Sequence, residues 1–372
     1  MDSPAIKVMC VVGARPNFMK IAPVIAALRE VGLGVQLVHT GQHYDVAMQQ
    51  QFFEQLGIPQ PDMDLEVGSA SHAVQTAEIM RRFEPVLDSE QPHTVLVVGD
   101  VNSTVACALV AVKKNIPVVH VEAGLRSYDR SMPEEINRVL TDQISELLFT
   151  TEAAAADNLR REGIDSSRIH FVGNVMIDTL YKNLEKAIPA KQTLSAALDS
   201  HVLLDNGFAV LTLHRPSNVD EPGILTDLLN TILKLSEHLP IVFPVHPRTA
   251  ARIDKIGMKG LFDSGRILRL SPLGYLEMLG LMLSAKVVLT DSGGMQEETT
   301  ALNIPCLTLR ENTERPITVL QGTNTIVGTD PERIEQAFDK ALSEYQGETK
   351  IPDLWDGRAA QRIGQIMKQW LA

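Results

Sequence analysis

Short apolar runs that alternate with helical stretches constrain this chain more than any other feature. Ile6–Val12, Val35–Thr40, Val95–Val98, Pro117–Val121, Leu147–Thr150 and Ile169–Val172 read as strands that are largely continuous in hydropathy rather than alternating. A strand reads this way when both faces of its sheet are covered, which is the condition of a parallel sheet flanked by helices. The pattern restarts with Ala209–Leu213, Ile241–Phe243, Lys286–Leu289, Cys306–Leu309 and Thr325–Val327. With 372 residues the chain is long enough for two domains of ordinary size. The expected fold is therefore α/β, with two doubly wound Rossmann-like domains facing a central cleft. The first domain is expected over 1–174, a helical linker over 175–206, the second domain over 207–355, and a terminal helix over 356–372 that returns to the first.

In an open α/β sheet, ligands bind outside the C-terminal ends of the strands, so the polar residues at those ends are the candidates. The stretch Leu289–Pro316 is the most informative. A strand ends in Thr290-Asp291-Ser292-Gly293-Gly294, and a helix is expected from Met295. Ser292, Gly293 and Gly294 thus form a glycine turn at a helix start, where free N–H groups and the helix dipole favour an anion such as a diphosphate. Glu298, one turn on, suits a ribose diol, and Arg315 is placed to reach the same ligand. Other strand ends carry Arg15 with Lys20, then Asp100, Glu122, the pair His214-Arg215, and His246 with Arg248. Glu134 stands beside Pro133 at a helix start. Carboxylates gathered on one rim repel, which suits acid/base work. Each also has a plain scaffolding role open to it: Asp100 as a helix cap, Glu122 as a partner of Arg126, Glu134 as a complement to a helix dipole, and His214 as a structural histidine.

The net charge of −12 argues against nucleic acid or an anionic membrane as the main partner. No apolar run approaches the roughly 18 residues of a membrane span, and no signal peptide is visible. Cys10, Cys107 and Cys306 all lie in apolar segments and are expected to be buried thiols of a cytoplasmic protein. Neither half carries GxGxxG, and there is no Cys/His cluster or HExxH helix, so neither a nicotinamide nor a metal is expected.

Taken together, GARPNFMK, GDVNST, HVEAGLRSYDRSMPEEINR, LTLHRPSN, PVHPR, LTDSGGMQEETT and RENTERP resemble the non-hydrolysing UDP-N-acetylglucosamine 2-epimerases, in order over nearly the whole chain. The resemblance implies the glycosyltransferase-B architecture, a homodimer, and turnover without cofactor or metal. It implies elimination of UDP to a bound 2-acetamidoglucal, followed by re-addition to give UDP-N-acetylmannosamine. By position, Asp100, Glu122 and Glu134 match that family's catalytic carboxylates and His214 its essential histidine. Arg15, Lys20, Ser292, Gly293, Gly294, Glu298 and Arg315 match its UDP-sugar contacts. Met278 stands where many members place a residue near the uracil. Gln42, His43, Arg215 and His246 match part of a second, activating substrate site, although Tyr44-Asp45 departs from the usual Arg-Glu. The other functions compatible with these residues are a hydrolysing epimerase, an epimerase of a related UDP-2-acetamido sugar, a glycosyltransferase, and a nucleotide-sugar sensor without turnover.

Overall fold

The structure is a computed structural model and describes residues 7–41, 57–195, 207–343 and 350–372. It divides into two compact units, one running to Lys182 and including Asp353–Ala372, the other spanning Asn183–Pro352.

In the first unit the elements run β1 (Lys7–Val12), α1 (Arg15–Glu30), β2 (Gly34–His39), β3 (Met63–Asp64), α2 (His72–Glu90), β4 (Thr94–Val98), α3 (Asn102–Lys113), β5 (Val118–Ala123), α4 (Pro133–Ile144), β6 (Leu147–Thr150), α5 (Ala153–Arg161), β7 (Ile169–Phe171) and α6 (Val175–Asn183). Among the described residues, these strands make one sheet in the order β3-β2-β1-β4-β5-β6-β7, and every pairing is parallel. Strands β4 and β5 are buried along their whole length, as continuous apolar runs require when helices cover both faces.

The second unit holds α7 (Ala190–Leu194), β8 (Ala209–Thr212), α8 (Pro216–Val219), α9 (Pro222–His238), β9 (Ile241–Pro244), α10 (Pro247–Lys255), β10 (Ile267–Leu270), α11 (Tyr275–Ser284), β11 (Val287–Thr290), α12 (Gly293–Ala301), β12 (Cys306–Thr308), α13 (Pro316–Leu320), β13 (Asn324–Ile326) and α14 (Pro331–Ser343). Its parallel sheet has the order β10-β9-β8-β11-β12-β13. The core lies between strands and helices, around Leu211, Phe243, Leu289 and Phe338. The sequence pattern does not signal β10: its residues Ile-Leu-Arg-Leu include an exposed Arg269, as an edge strand tolerates.

The first unit takes in the start of the 175–206 segment. Val175, Ile177 and Leu180 of α6 are buried, and the first unit runs on to Lys182. In the second unit the missing Cβ of Gly280 in α11 would fall 1.7 Å from the Ile188 carbonyl, so only glycine permits that approach. The chain ends in α15 (Ala359–Trp370), which packs on α1, where a Cβ at Gly364 would lie 3.0 Å from the Ala27 carbonyl.

Asp178 caps α15 by accepting from the backbone N–H groups of Ala359 (3.1 Å) and Ala360 (2.7 Å). Burial pushes its carboxyl up to about 6, although the two N–H groups oppose the rise. An acid whose folded value exceeds its unfolded one stabilises the fold below about pH 4, and this contribution is lost as pH rises through the folded value. We expect this group to remove on the order of 2 kcal/mol of stability between about pH 4 and pH 7. Urea denaturation across that range should show a flatter pH slope for Asp178→Asn; an unchanged slope would contradict the assignment.

Candidate active site

In each sheet the strand order reverses beside the first strand, between β1 and β4 and between β8 and β11. The C-terminal ends flanking such a reversal form the usual ligand crevice. The polar residues at strand ends gather at these two points.

In the first unit Gly13 ends β1 against α3, because a Cβ there would lie 2.1 Å from Ser103 Oγ. Lys20, buried on α1, places Nζ 2.7 Å from each carboxylate oxygen of Glu122. Glu122 interrupts β5. The pairing with β6 shifts between Val121 and Ala123, and Glu122 has φ +73°, a conformation few non-glycine residues adopt. Such a bulge re-aims a side chain at the edge of a sheet. Gly99, with φ +67°, lets the turn after β4 pass close by: a Cβ there would lie 3.2 Å from Lys20 Nζ and 3.9 Å from Glu122 Oε1.

Asp100 follows Gly99, and Arg138 of α4 donates to its Oδ2 from Nη2 at 2.6 Å. The same guanidinium donates from Nη1 to Glu135 Oε2 at 2.6 Å. Glu135 also accepts from the backbone N–H groups of Ser127 and Tyr128, both at 2.9 Å. Asn137 Nδ2 donates to the Asp100 carbonyl at 2.9 Å. Glu134 opens α4, half-buried, and no described residue pairs with it.

Behind these turns, His120 is fully buried within β5. Its Nε2 lies 2.8 Å from the Gly99 carbonyl and its Nδ1 2.7 Å from Asp142 Oδ1. Asp142 Oδ2 accepts from Gly124 N–H at 3.1 Å and faces Arg126 Nη1 at 2.7 Å. The His120–Asp142 pair thus holds the Asp100 turn and the Glu122 turn together. Arg126 serves Asp142 and Glu162, and Lys20 takes Glu122. Asp100 does not cap α3 either, since the capping position is Val101.

In the second unit, β8 and β11 are neighbours with Thr212 opposite Thr290, so the residues that follow them meet. His214 Nδ1 lies 3.0 Å from Asp291 Oδ1. The backbone N–H groups of His214 and Arg215 donate to Asp291 Oδ2 at 3.0 and 2.9 Å. Burial opposes the charge on Asp291, but the hydrogen bonds from His214 and Arg215 outweigh it and hold the carboxyl below its ordinary range. The His246 ring stands 6.2 Å from the His214 ring.

Helix α12 starts at Gly293, two residues before the expected Met295, with Ser292 at the cap. Gly293 and Gly294 therefore supply the first free N–H groups. Beside them lies Glu314, whose Oε1 would be 2.7 Å from a Cβ at Gly293. Burial opposes the charge on Glu314, yet Arg315, Arg310 and Arg215 outweigh it and hold the carboxyl well below the usual range. Arg315 Nε also lies 2.8 Å from Glu297 Oε1. Glu298, buried on α12, accepts from the Tyr275 hydroxyl at 3.0 Å; burial and then the Glu298 charge push the Tyr275 phenol up. Met278 is half-buried on α11. Gln42 and His43 lie outside the described residues, as does the side chain of Arg15.

Several residues of the site escape a strand-end search. Arg138 is one turn beyond Glu134 on α4, a spacing that places both on one helix face. His120 and Asp142 leave a signal of another kind, a histidine inside an otherwise apolar strand. Asp291 stands in the glycine turn itself. Among the described residues, no group of three His, Cys, Asp or Glu side chains is placed to hold a metal, and no helix is long and apolar enough to cross a membrane.

Comparison with known proteins identifies the family. The family model described as UDP-N-acetylglucosamine 2-epimerase matches residues 26–368. The UDP-N-acetylglucosamine 2-epimerase of Methanocaldococcus jannaschii is 42% identical over 97% of this chain and 98% of its own. The crystal structure of the Methanocaldococcus jannaschii UDP-GlcNAc 2-epimerase in complex with UDP-GlcNAc and UDP superposes with a TM-score of 0.88, at 41% identity, over 98% of this chain and 99% of that one. The UDP-2,3-diacetamido-2,3-dideoxy-D-glucuronate 2-epimerase of Pseudomonas aeruginosa is 39% identical over 97% of this chain and 99% of its own. With a family model over most of its length and relatives of this identity at near-complete coverage, the chain belongs to the UDP-N-acetylglucosamine 2-epimerase family.

Proposed function

We propose that the protein interconverts UDP-N-acetylglucosamine and UDP-N-acetylmannosamine without hydrolysis. The observation that carries this reading is the first unit's set of carboxylates at one sheet edge: Asp100 held by Arg138, Glu122 held by Lys20, and Glu134 without a described partner. Inversion at C2 needs proton acceptors and donors on both faces of the sugar, which one carboxylate does not provide. A carboxylate takes the C2 proton, the C–H electron pair becomes the C1=C2 double bond, and the C1–O bond breaks with its pair leaving on UDP. The bound products are 2-acetamidoglucal and UDP. UDP then adds back at C1 as a carboxylic acid returns a proton to the opposite face of C2. The sequence is redox-neutral and balances with these groups alone. His214 and the N–H groups opening α12 stabilise charge on the departing diphosphate. Glu298 suits the ribose diol, and Arg315 holds the acids beside the turn.

Turnover in heavy water, followed by NMR, should place deuterium at C2 of both nucleotide sugars without build-up of free UDP. Product lacking deuterium overturns the elimination. Accumulating UDP with free N-acetylmannosamine would instead identify a hydrolysing enzyme. The name of the Pseudomonas aeruginosa relative supports a second reading, in which the preferred sugar is another UDP-2-acetamido sugar; competition between the two substrates decides it. Ile136 and Leu140, one turn apart on α4 and 48% and 51% exposed, form an apolar stripe that suits a homodimer contact. A monomer mass by sedimentation at micromolar concentration would remove that assignment.

A further inference from the structure

We infer that Asp291 is the positioning residue for His214, fixing the ring so that Nδ1 carries a hydrogen and Nε2 is the nitrogen presented to the leaving diphosphate. This rests on the role proposed above for His214. Asp291 has no solvent exposure, and the donors grouped around it are all N–H groups: His214 Nδ1, the backbone of His214 and Arg215, and Asn218 Nδ2 at 3.3 Å. An ionised carboxylate accepts and never donates, so a ring nitrogen 3.0 Å away must be the donor. The other nitrogen is then the one free to meet a ligand, on a side chain that is 43% exposed.

The backbone makes this arrangement rigid. β8 and β11 are paired strands, and Asp291 directly follows β11 while His214 is the second residue after β8. Asp291 also immediately precedes Ser292, the cap of α12. One buried carboxylate therefore ties the turn that carries the histidine to the residue preceding the α12 cap. In enzymes where an aspartate orients a histidine in this way, replacing it by asparagine leaves the fold intact and favours the wrong tautomer.

The test compares Asp291→Asn, His214→Asn and the double variant, each assayed with UDP-N-acetylglucosamine. Asp291→Asn should lower kcat on the order of 100- to 10,000-fold with KM changed only a few-fold. In the His214→Asn background the same substitution should cost almost nothing further, because the two residues act as a unit. Losses that multiply would overturn the inference and indicate a general scaffolding role. Nitrogen-15 NMR of histidine-labelled parent protein, with the His214 signal assigned by its loss in His214→Asn, should show a hydrogen on Nδ1. A bare Nδ1 overturns the inference even if Asp291→Asn does not fold. Full activity in His214→Asn would refute the proposed role of His214, while the NMR result would still decide whether Asp291 sets its tautomer.

Discussion

Glu122→Gln should lower turnover by about 100- to 10,000-fold, the usual range for removing a positioned acid or base. The side chain keeps its size, so the bulge that aims it can persist. What changes is the charge facing Lys20, whose Nζ lies 2.7 Å from each Glu122 oxygen with both side chains almost fully buried. Removing one partner of a buried pair strands the other, at a cost of about 3–5 kcal/mol when nothing replaces it. The amide still offers one acceptor oxygen, so the loss should fall below that range. Both quantities are measurable in one preparation: turnover by NMR and stability by denaturant titration. A variant as active as the parent would show that Glu122 serves only to neutralise Lys20. Lys20→Met disturbs the same pair from the other side, and its stability loss set beside that of Glu122→Gln measures what the pair contributes to the fold.

Glu134→Gln should lose turnover over the same range, about 100- to 10,000-fold, with stability nearly unchanged. The difference comes from its surroundings. Glu134 is half-buried with no described hydrogen-bond or ion-pair partner, so its charge supports the fold only through the α4 N-terminus. A carboxylate in a first helical turn contributes about 0.3–1 kcal/mol. Near-parental turnover accompanied by a small stability loss would mean that the dipole contact is its whole role. The pair of variants thus contrasts a carboxylate that is part of the scaffold with one that is not. Deuterium uptake at C2 should fall with turnover in both, because loss of the C2 proton is part of the proposed elimination.

The turn Ser292-Gly293-Gly294 was readable as the start of a helix, because glycines and the end of an apolar run are local features. The position of that start was less readable, since Gly293 and Gly294 are poor helix formers and sit inside α12 only because the fold holds them there. β10 was not readable, because an edge strand of four residues with a charged side chain lacks a distinctive pattern. Asp291 was visible as a letter in the turn, but nothing nearby in sequence marks His214 as its partner.

The sequence by itself determined the class of fold and which polar residues stand at the strand ends. Continuous apolar runs require covered parallel strands, and the polar residues that follow them lie at one sheet edge by construction. Only the tertiary structure decided which charges meet. Lys20 finds Glu122 across 102 positions, Arg138 finds Asp100 across 38, and Asp291 holds the His214 backbone across 77. Those pairings follow from the strand order β1-β4-β5 and β8-β11. Strand order depends on how helices cross between strands, and the energy of an ion pair depends on its separation in space and its burial, neither of which the linear order of residues contains.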